Sequence, residues 1–243
     1  MSNMNQTKPK AAAPATLPPA ALSGGYLAAA VSPAFAAGYL ARLAGPAPAL
    51  GVAPSGAPVV RGKAVARRGR VPLDYAYDAR RGAVLPVPDA LRLGAPRPEP
   101  PIWFVRAGPA GGLGVGAADV LGGRAGVVDG AERAWLAPEG CVSVDLGITW
   151  PGYHKYTHTM QIRSLDPHRP MPPPDIATFL WHIARTVEEF MTHASRREMG
   201  TPAPPHEMDV GIGVHVQDVT IIGAINVSEG RWYPVLRLPP APR

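Results

Sequence analysis

The chain has 243 residues and a formal net charge of +6, and its 31 prolines and 27 glycines far exceed ordinary usage. Residues 1–73 hold eight lysines and arginines and no acidic residue, which leaves a net charge of −2 for residues 74–243. The high net charge therefore belongs to residues 1–73 and gives no support for a folded part that binds nucleic acid through a basic surface.

Residues 1–70 form a basic Pro/Ala/Gly-rich segment, and we predict that this segment is a disordered arm. Prolines interrupt each apolar run before it reaches the roughly 18 residues that a membrane helix needs, so we predict no membrane span. Two short helices separated by Pro33 within residues 20–44 are the alternative for part of the arm, where they would act as a docking segment.

The end of the arm, RGKAVARRGR, concentrates positive charge. The candidates for contact with an anionic partner are Arg61, Lys63, Arg67, Arg68 and Arg70. Such a cluster is most often a solvated charge run, and a nuclear localisation signal or an anionic-surface contact is the functional interpretation. Nucleic-acid binding is therefore expected only through the arm, with a steep dependence on salt.

Acidic residues and periodic apolar residues begin after residue 70, so we predict one α+β domain over residues 71–243. The segment PIWFVRA favours a strand, and the glycine loop that follows leads into a short helix near Ala117. The loop matches G-x-G-x-x-A, but the helix is short and no acidic residue ends a second strand about 20 residues further on. We therefore predict no dinucleotide site and no cofactor.

Two alternating segments, residues 142–150 and 154–162, flank the sequence WPGY and predict two strands. A three-residue loop, PGY, places Ile148 opposite Tyr156 and sets the apolar side chains of both strands on one face. A two-residue loop would set the polar face of one strand beside the apolar face of the other. WPGY is therefore predicted to connect a β-hairpin with an odd-length loop.

The segment DIATFLWHIARTVEEFM has the apolar stripe of a long helix, with Asp175 near its N-terminus. MDVGIGVHV and DVTIIGAINV then alternate as strands or as one bent strand, and RWYPVLRL follows. Pro234 restricts this last strand to an edge or an end. The predicted fold is α+β, with an antiparallel sheet packed against one long helix and preceded by the disordered arm.

Four histidines are candidate metal ligands. His154 and His158 are four residues apart on a strand, so about 13 Å separates them and they do not share one ion. His182 and His193 lie three turns apart on the polar face of the long helix, which favours a solvated surface. We predict no metal site.

No local motif of a nucleophilic enzyme is present, and we name no catalytic residue. Cys141, the only cysteine, starts a strand with no obvious base near it in sequence, and we expect a cytoplasmic or nuclear protein. A Ser/Thr-His-Asp set assembled from distant positions, for instance with Asp166 and His168, is the open alternative.

Tyr153, Trp181 and Trp232 are the candidates for contact with a partner. Trp150 points to the core by its alternation, Trp181 lies at the border of the apolar stripe, and only Tyr153 is free by pattern. Core packing is the favoured interpretation of this aromatic set, and a recognition surface is the alternative.

The ordered segments ITWPGYHKYTHTMQI, DIATFLWHIARTVEEFM and VSEGRWYPVL resemble an uncharacterised family of basidiomycete fungal proteins, as does GVGAADVLGG upstream. In that family a WPGY hairpin precedes an amphipathic helix, and a final strand carries a tryptophan. The resemblance covers about Asp74 to Leu238 and implies a fungal, intracellular protein with a shared fold. It implies no activity, cofactor or catalytic residue.

The preferred hypothesis is a non-enzymatic protein-interaction domain that binds a protein partner of unknown identity and carries a basic disordered arm. A small hydrolase-like enzyme whose site is not visible in sequence is the alternative. Weak nucleic-acid or anionic-surface binding through the arm is the second alternative.

Overall fold

The computed structural model describes residues 25–44, 49–52, 58–61, 75, 77–87, 99–108, 111–135, 141–164, 168, 171–194, 213–228 and 230–240. Its helices within these ranges are α1 (Tyr26–Ala30), α2 (Pro33–Ala44), α3 (Ala117–Asp119) and α4 (Ile176–Ala194). Its strands are β1 (Ala49–Val52), β2 (Pro58–Arg61), β3 (Ile102–Trp103), β4 (Val115–Gly116), β5 (Ser143–Ile148), β6 (Tyr156–Gln161), β7 (Thr220–Ser228) and β8 (Arg231–Arg237). None of the helices described is both long and apolar enough to cross a bilayer.

The main sheet has the strand order β3-β7-β8-β5-β6, with β4 also paired to β7, while β1 and β2 form a separate antiparallel pair. The α+β class with one long helix is confirmed, but a fully antiparallel sheet is wrong, because β5 and β8 pair in parallel. The chain between them passes through β6, α4 and β7, and this long crossover returns β8 in the direction of β5.

The register predicted for the β5–β6 hairpin is confirmed, with Ile148 opposite Tyr156. The Tyr153 amide donates a hydrogen bond to the Trp150 carbonyl at 3.0 Å, which closes the turn. Gly152 has a φ of 83°, the positive value that the third position of a type II turn requires. The hairpin therefore sets the apolar side chains of both strands toward one layer.

The glycine loop before α3 serves packing. Gly114 has a φ of 97°, and a Cβ added there would lie 2.6 Å from the Ile222 side chain and 2.7 Å from that of Thr220. The chain has to approach β7 closely at this point, and only glycine permits both the contact and the dihedral angle. The short helix near Ala117 is confirmed as α3.

The C-terminal strands differ from the prediction in two respects. Val216–Asp218 form a 3₁₀ turn where the sequence predicted a strand. β8 lies inside the strand order, although Pro234 predicted an edge or an end. The pairing of β8 with β5 covers only Arg231 and Trp232. Among the described residues, β5 therefore does not pair with β8 at Pro234, whose nitrogen has no proton to donate.

α4 covers one face of the main sheet. The Asp175 carboxylate accepts a hydrogen bond from the Thr178 amide at 2.7 Å and caps the first turn, as its position predicts. Below the helix, Trp135 stacks on Phe179 with ring centroids 4.3 Å apart, and Trp232 meets both rings edge-on. These aromatic side chains form the centre of the larger hydrophobic core.

α1 and α2 cover the opposite face. Tyr26, Leu27 and Tyr39 are buried in a second hydrophobic cluster together with Trp103 and Tyr233. Tyr39 Oη donates a hydrogen bond to the Glu99 carbonyl, and the Arg237 side chain donates one to Tyr26 Oη at 3.0 Å. These contacts tie both helices to residues of the domain.

The prediction of a disordered arm is therefore wrong for residues 25–44, where the alternative of two short helices holds. Burial of their aromatic and aliphatic side chains stabilises the pair, since helices this short are marginal in isolation. Residues 1–24 and the basic side chains of Lys63, Arg67, Arg68 and Arg70 lie outside the described residues. Arg61 is the last residue of β2.

If α1 is an integral layer, Leu27→Ala should lower the free energy of unfolding by about 2–4 kcal/mol, because it opens a cavity at a fully buried position. Chemical denaturation followed by circular dichroism measures this change. Ala34→Ser, at an exposed position of α2, is the control and should change stability by less than about 0.5 kcal/mol. Equal stability of the two variants would show that α1 contributes no packing.

Candidate functional site

Titratable side chains gather where β6 meets α4. Tyr156 and His158 are two residues apart on β6 and therefore face the same side, toward the helix. His182, Arg185 and Glu189 follow one another at three- and four-residue spacings and share one flank of α4. We call these five residues the β6–α4 cluster.

The Glu189 carboxylate is the centre of the cluster. Its Oε2 accepts a hydrogen bond from Tyr156 Oη at 3.1 Å, and its Oε1 accepts one from Arg185 Nε at 3.0 Å. His158 Nδ1 lies 3.1 Å from Oε2 and carries the proton, because an ionised carboxylate only accepts. The side chains of His158 and Glu189 are 24% and 26% exposed, so solvent reaches the pair.

The surroundings of Glu189 keep it ionised. Burial acts to raise the pKa of Glu189, but the hydrogen bond from Tyr156 and the charges of His158 and Arg185 outweigh burial and lower it. Burial raises the pKa of Tyr156, and the neighbouring Glu189 raises it further. Tyr156 is therefore a neutral donor to an ionised acceptor at neutral pH.

His182 lies next to the pair, with its ring centroid 5.8 Å from that of His158. Burial lowers the pKa of His182, His158 lowers it further, and Glu189 partly opposes both. Its Nδ1 is buried without a hydrogen-bond partner. The Trp181 ring stands edge-on to the His182 ring, with the two centroids 5.1 Å apart. The neutral form of His182 is thus favoured.

The cluster suits proton transfer better than metal binding. Glu189 holds Nδ1 of His158 in one tautomer, which leaves Nε2 as the acceptor atom of the ring. Within the part of the chain that the structure describes, no three His, Cys, Asp or Glu side chains are placed to hold a metal ion.

One cavity lies on the other side of β5, between Leu85, Gly147 and Tyr233. Its volume is about 10 Å³, which is roughly the space for one water molecule. A substrate or cofactor does not fit there.

The structure separates the three predicted partner contacts. Trp232 is completely buried against Trp135 and Phe179, so its assignment as a partner contact is wrong. Trp181 is 42% exposed on α4. Tyr153 is partly buried and packs edge-on against Phe190, with centroids 5.9 Å apart.

The cluster joins two elements, so the spacing of histidines within one element did not predict it. His154 is exposed, whereas His158 turns toward α4 and meets Glu189. His193 is also exposed, and its Nδ1 lies 2.7 Å from the Glu189 carbonyl oxygen. The hairpin register already placed His158 on the face of Leu146, and this was the signal that pointed to the helix.

The titration of His182 tests the electrostatics of the cluster. By NMR, its imidazole should titrate with a pKa below the ordinary value of 6.5. His158→Asn removes the imidazole that lowers the pKa of His182 and should raise this pKa part of the way back, whereas Glu189→Gln should lower it further. A wild-type value at or above 6.5, or shifts of the opposite sign, would contradict this description.

The same shift links stability to pH. The folded-state pKa of His182 lies below its unfolded value. The stability that the neutral imidazole contributes to the folded protein is therefore fully present above about pH 6.5 and is lost as the pH falls toward the folded pKa.

No protein-family model, curated protein or solved structure matches this chain. The resemblance to the basidiomycete fungal family therefore stays a prediction.

Proposed function

We propose that this chain is a non-enzymatic protein-interaction domain that binds a partner protein through the outer side of α4. The observation that carries the proposal is the exposure of Trp181. The other four tryptophans of the chain are buried, so Trp181 is the exception in a protein that otherwise places this side chain in its cores. Tryptophan is enriched among the residues that dominate protein–protein binding energy.

Polar residues surround Trp181 on the helix surface. Thr178 and Arg185 lie one turn to either side of it, and Glu188 follows two turns on. Arg185 pairs with Glu188 at 2.6 Å and with Glu189 at 3.0 Å, so charges of both signs border the indole. An apolar anchor with a polar rim is the usual composition of a protein–protein interface. The matching partner has an apolar pocket with polar edges.

Trp181→Ala should remove binding without unfolding the domain, since the indole is 42% exposed. We expect the loss to exceed about tenfold, because an interface tryptophan contributes about 2 kcal/mol or more. The full chain, the variant and the control Thr192→Ala, an exposed position on the same helix, are used as baits in native extract at low and high salt. Circular dichroism checks the fold of each bait.

A partner that both the wild type and Thr192→Ala retain at high salt, but Trp181→Ala does not, supports the proposal. Capture that is independent of Trp181 contradicts it. Capture that disappears with salt or on deletion of residues 1–24 and 62–74 favours the anionic-partner alternative, which rests on the basic arm.

A small hydrolase is the second candidate, and the orientation of His158 by Glu189 favours it. In such an enzyme His158 Nε2 would accept a proton from an attacking water and return it to the leaving group. Both side chains are accessible enough for this role, and Arg185 adds a positive charge beside them.

A panel of carboxylic and phosphoric ester substrates tests this candidate. Activity should fall by at least about 100-fold in His158→Asn, the scale of a general acid–base contribution. It should persist in His154→Asn, which changes an exposed histidine of the same hairpin. Turnover that is equal in both variants would exclude His158 as the base.

A further inference from the structure

β6 ends the main sheet. In the strand order β3-β7-β8-β5-β6 its inner side pairs with β5, and no strand among the described residues pairs with its outer side. The outer side of an edge strand presents backbone N–H and C=O groups that accept a further strand. Natural sheets usually block such an edge.

β6 lacks the usual blocking features. Its sequence, YTHTMQ, contains no lysine, acidic residue or proline, and its register with β5 runs over six consecutive pairs without a bulge. At the other side of the sheet, β3 and β4 contain two residues each, and short strands are themselves a protection. The two sides of the sheet are therefore not equivalent.

We propose that β6 pairs antiparallel with β6 of a second copy of this chain, so that two main sheets join into one continuous sheet. A two-fold axis between identical edge strands produces the antiparallel orientation, and both copies then use the same surface. This inference is independent of the partner proposed for Trp181.

The outer-face side chains of β6 suit a copy of themselves. Thr157, Thr159 and Gln161 are exposed and uncharged, so a second copy brings no like charges together on this face. A two-fold axis allows two such registers. In one register Thr157 lies opposite Thr159 of the second copy, and in the other Thr159 lies opposite Thr159 of the second copy. Threonine pairs across antiparallel strands are favourable.

The helices leave room for this arrangement. α4 packs over β5 and β6, and a two-fold axis perpendicular to the sheet keeps both copies of α4 on the same face. A helix axis midway between β5 and β6 would lie two strand spacings from its counterpart, which is about 10 Å. Packed helices need about 8–10 Å between their axes, so the two copies of α4 would lie side by side without collision.

Sedimentation velocity of the full chain from about 1 to 100 μM tests the proposal. The upper concentration is high enough to populate a dimer with a dissociation constant of about 100 μM. We expect a species of twice the 25.5 kDa monomer mass. Thr157→Lys places a charge on the edge and should weaken association at least tenfold. Thr159 is less suitable for substitution, because its hydroxyl donates a hydrogen bond to Asp145 at 2.9 Å.

Ala34→Lys is the matched control, since it adds the same charge at an exposed position of α2, on the opposite face of the sheet, and should leave the dimer intact. A wild-type chain that stays monomeric at the highest concentration overturns the proposal, as does equal dimerisation of both variants. If Thr157→Lys fails to fold, hydrogen exchange on the wild type decides. Protection of β6 amides that rises with protein concentration supports pairing, and concentration-independent exchange rejects it.

Discussion

Burial of β7 and β8 on both faces is the constraint on which this fold depends. The seven residues from Ile221 to Val227 are all buried, and so are the five from Trp232 to Leu236. Strands that are buried on both faces need a layer of side chains from other elements packed on each face of the sheet. α4 supplies one cover with Trp135 and Phe179, and the α1–α2 pair supplies the other with Tyr26 and Tyr39, so the protein has three layers. The buried Asn226 closes the end of the central hairpin, since its amide donates to the Ser228 and Arg231 carbonyls and its oxygen accepts from the Glu99 amide.

The β6–α4 cluster is a consequence of that packing. The apolar stripe of α4 has to lie on the sheet, and its neighbouring flank then falls beside β6. Glu189 and His158 meet because the hairpin register turns His158 toward the helix. Three donors converge on one carboxylate, and its negative charge is largely neutralised within the cluster. The cluster thus has little net charge with which to attract an anionic ligand.

Local patterns were sufficient to predict the β5–β6 register, α4 and the burial of Trp150, because alternation, helical periodicity and turn chemistry each act over a few residues. Contacts between distant segments were not predictable in this way. The sequence of residues 25–44 has the composition of a linker, and its helices are stabilised by β7 and β8, about two hundred residues away. The nearly continuous apolar run IIGAINV was the available signal, since it indicates a strand that is covered on both faces. The same limit explains Trp232, whose burial depends on Trp135 and Phe179, and the cluster itself, which joins two elements.

The edges of the sheet and the surface of α4 show where this architecture is left open to association. The short strands β3 and β4 finish one side of the sheet, whereas β6 offers six unblocked residues at the other. Trp181 stands on the helix that covers this same side, and its ring touches His182 of the cluster. Among the described residues, no strand pairs with the outer side of β6, and Trp181 is the largest apolar side chain that is exposed. Burial of apolar area and completion of backbone hydrogen bonds both favour association, so both surfaces that we propose for binding lie on the β6 and α4 side of the molecule.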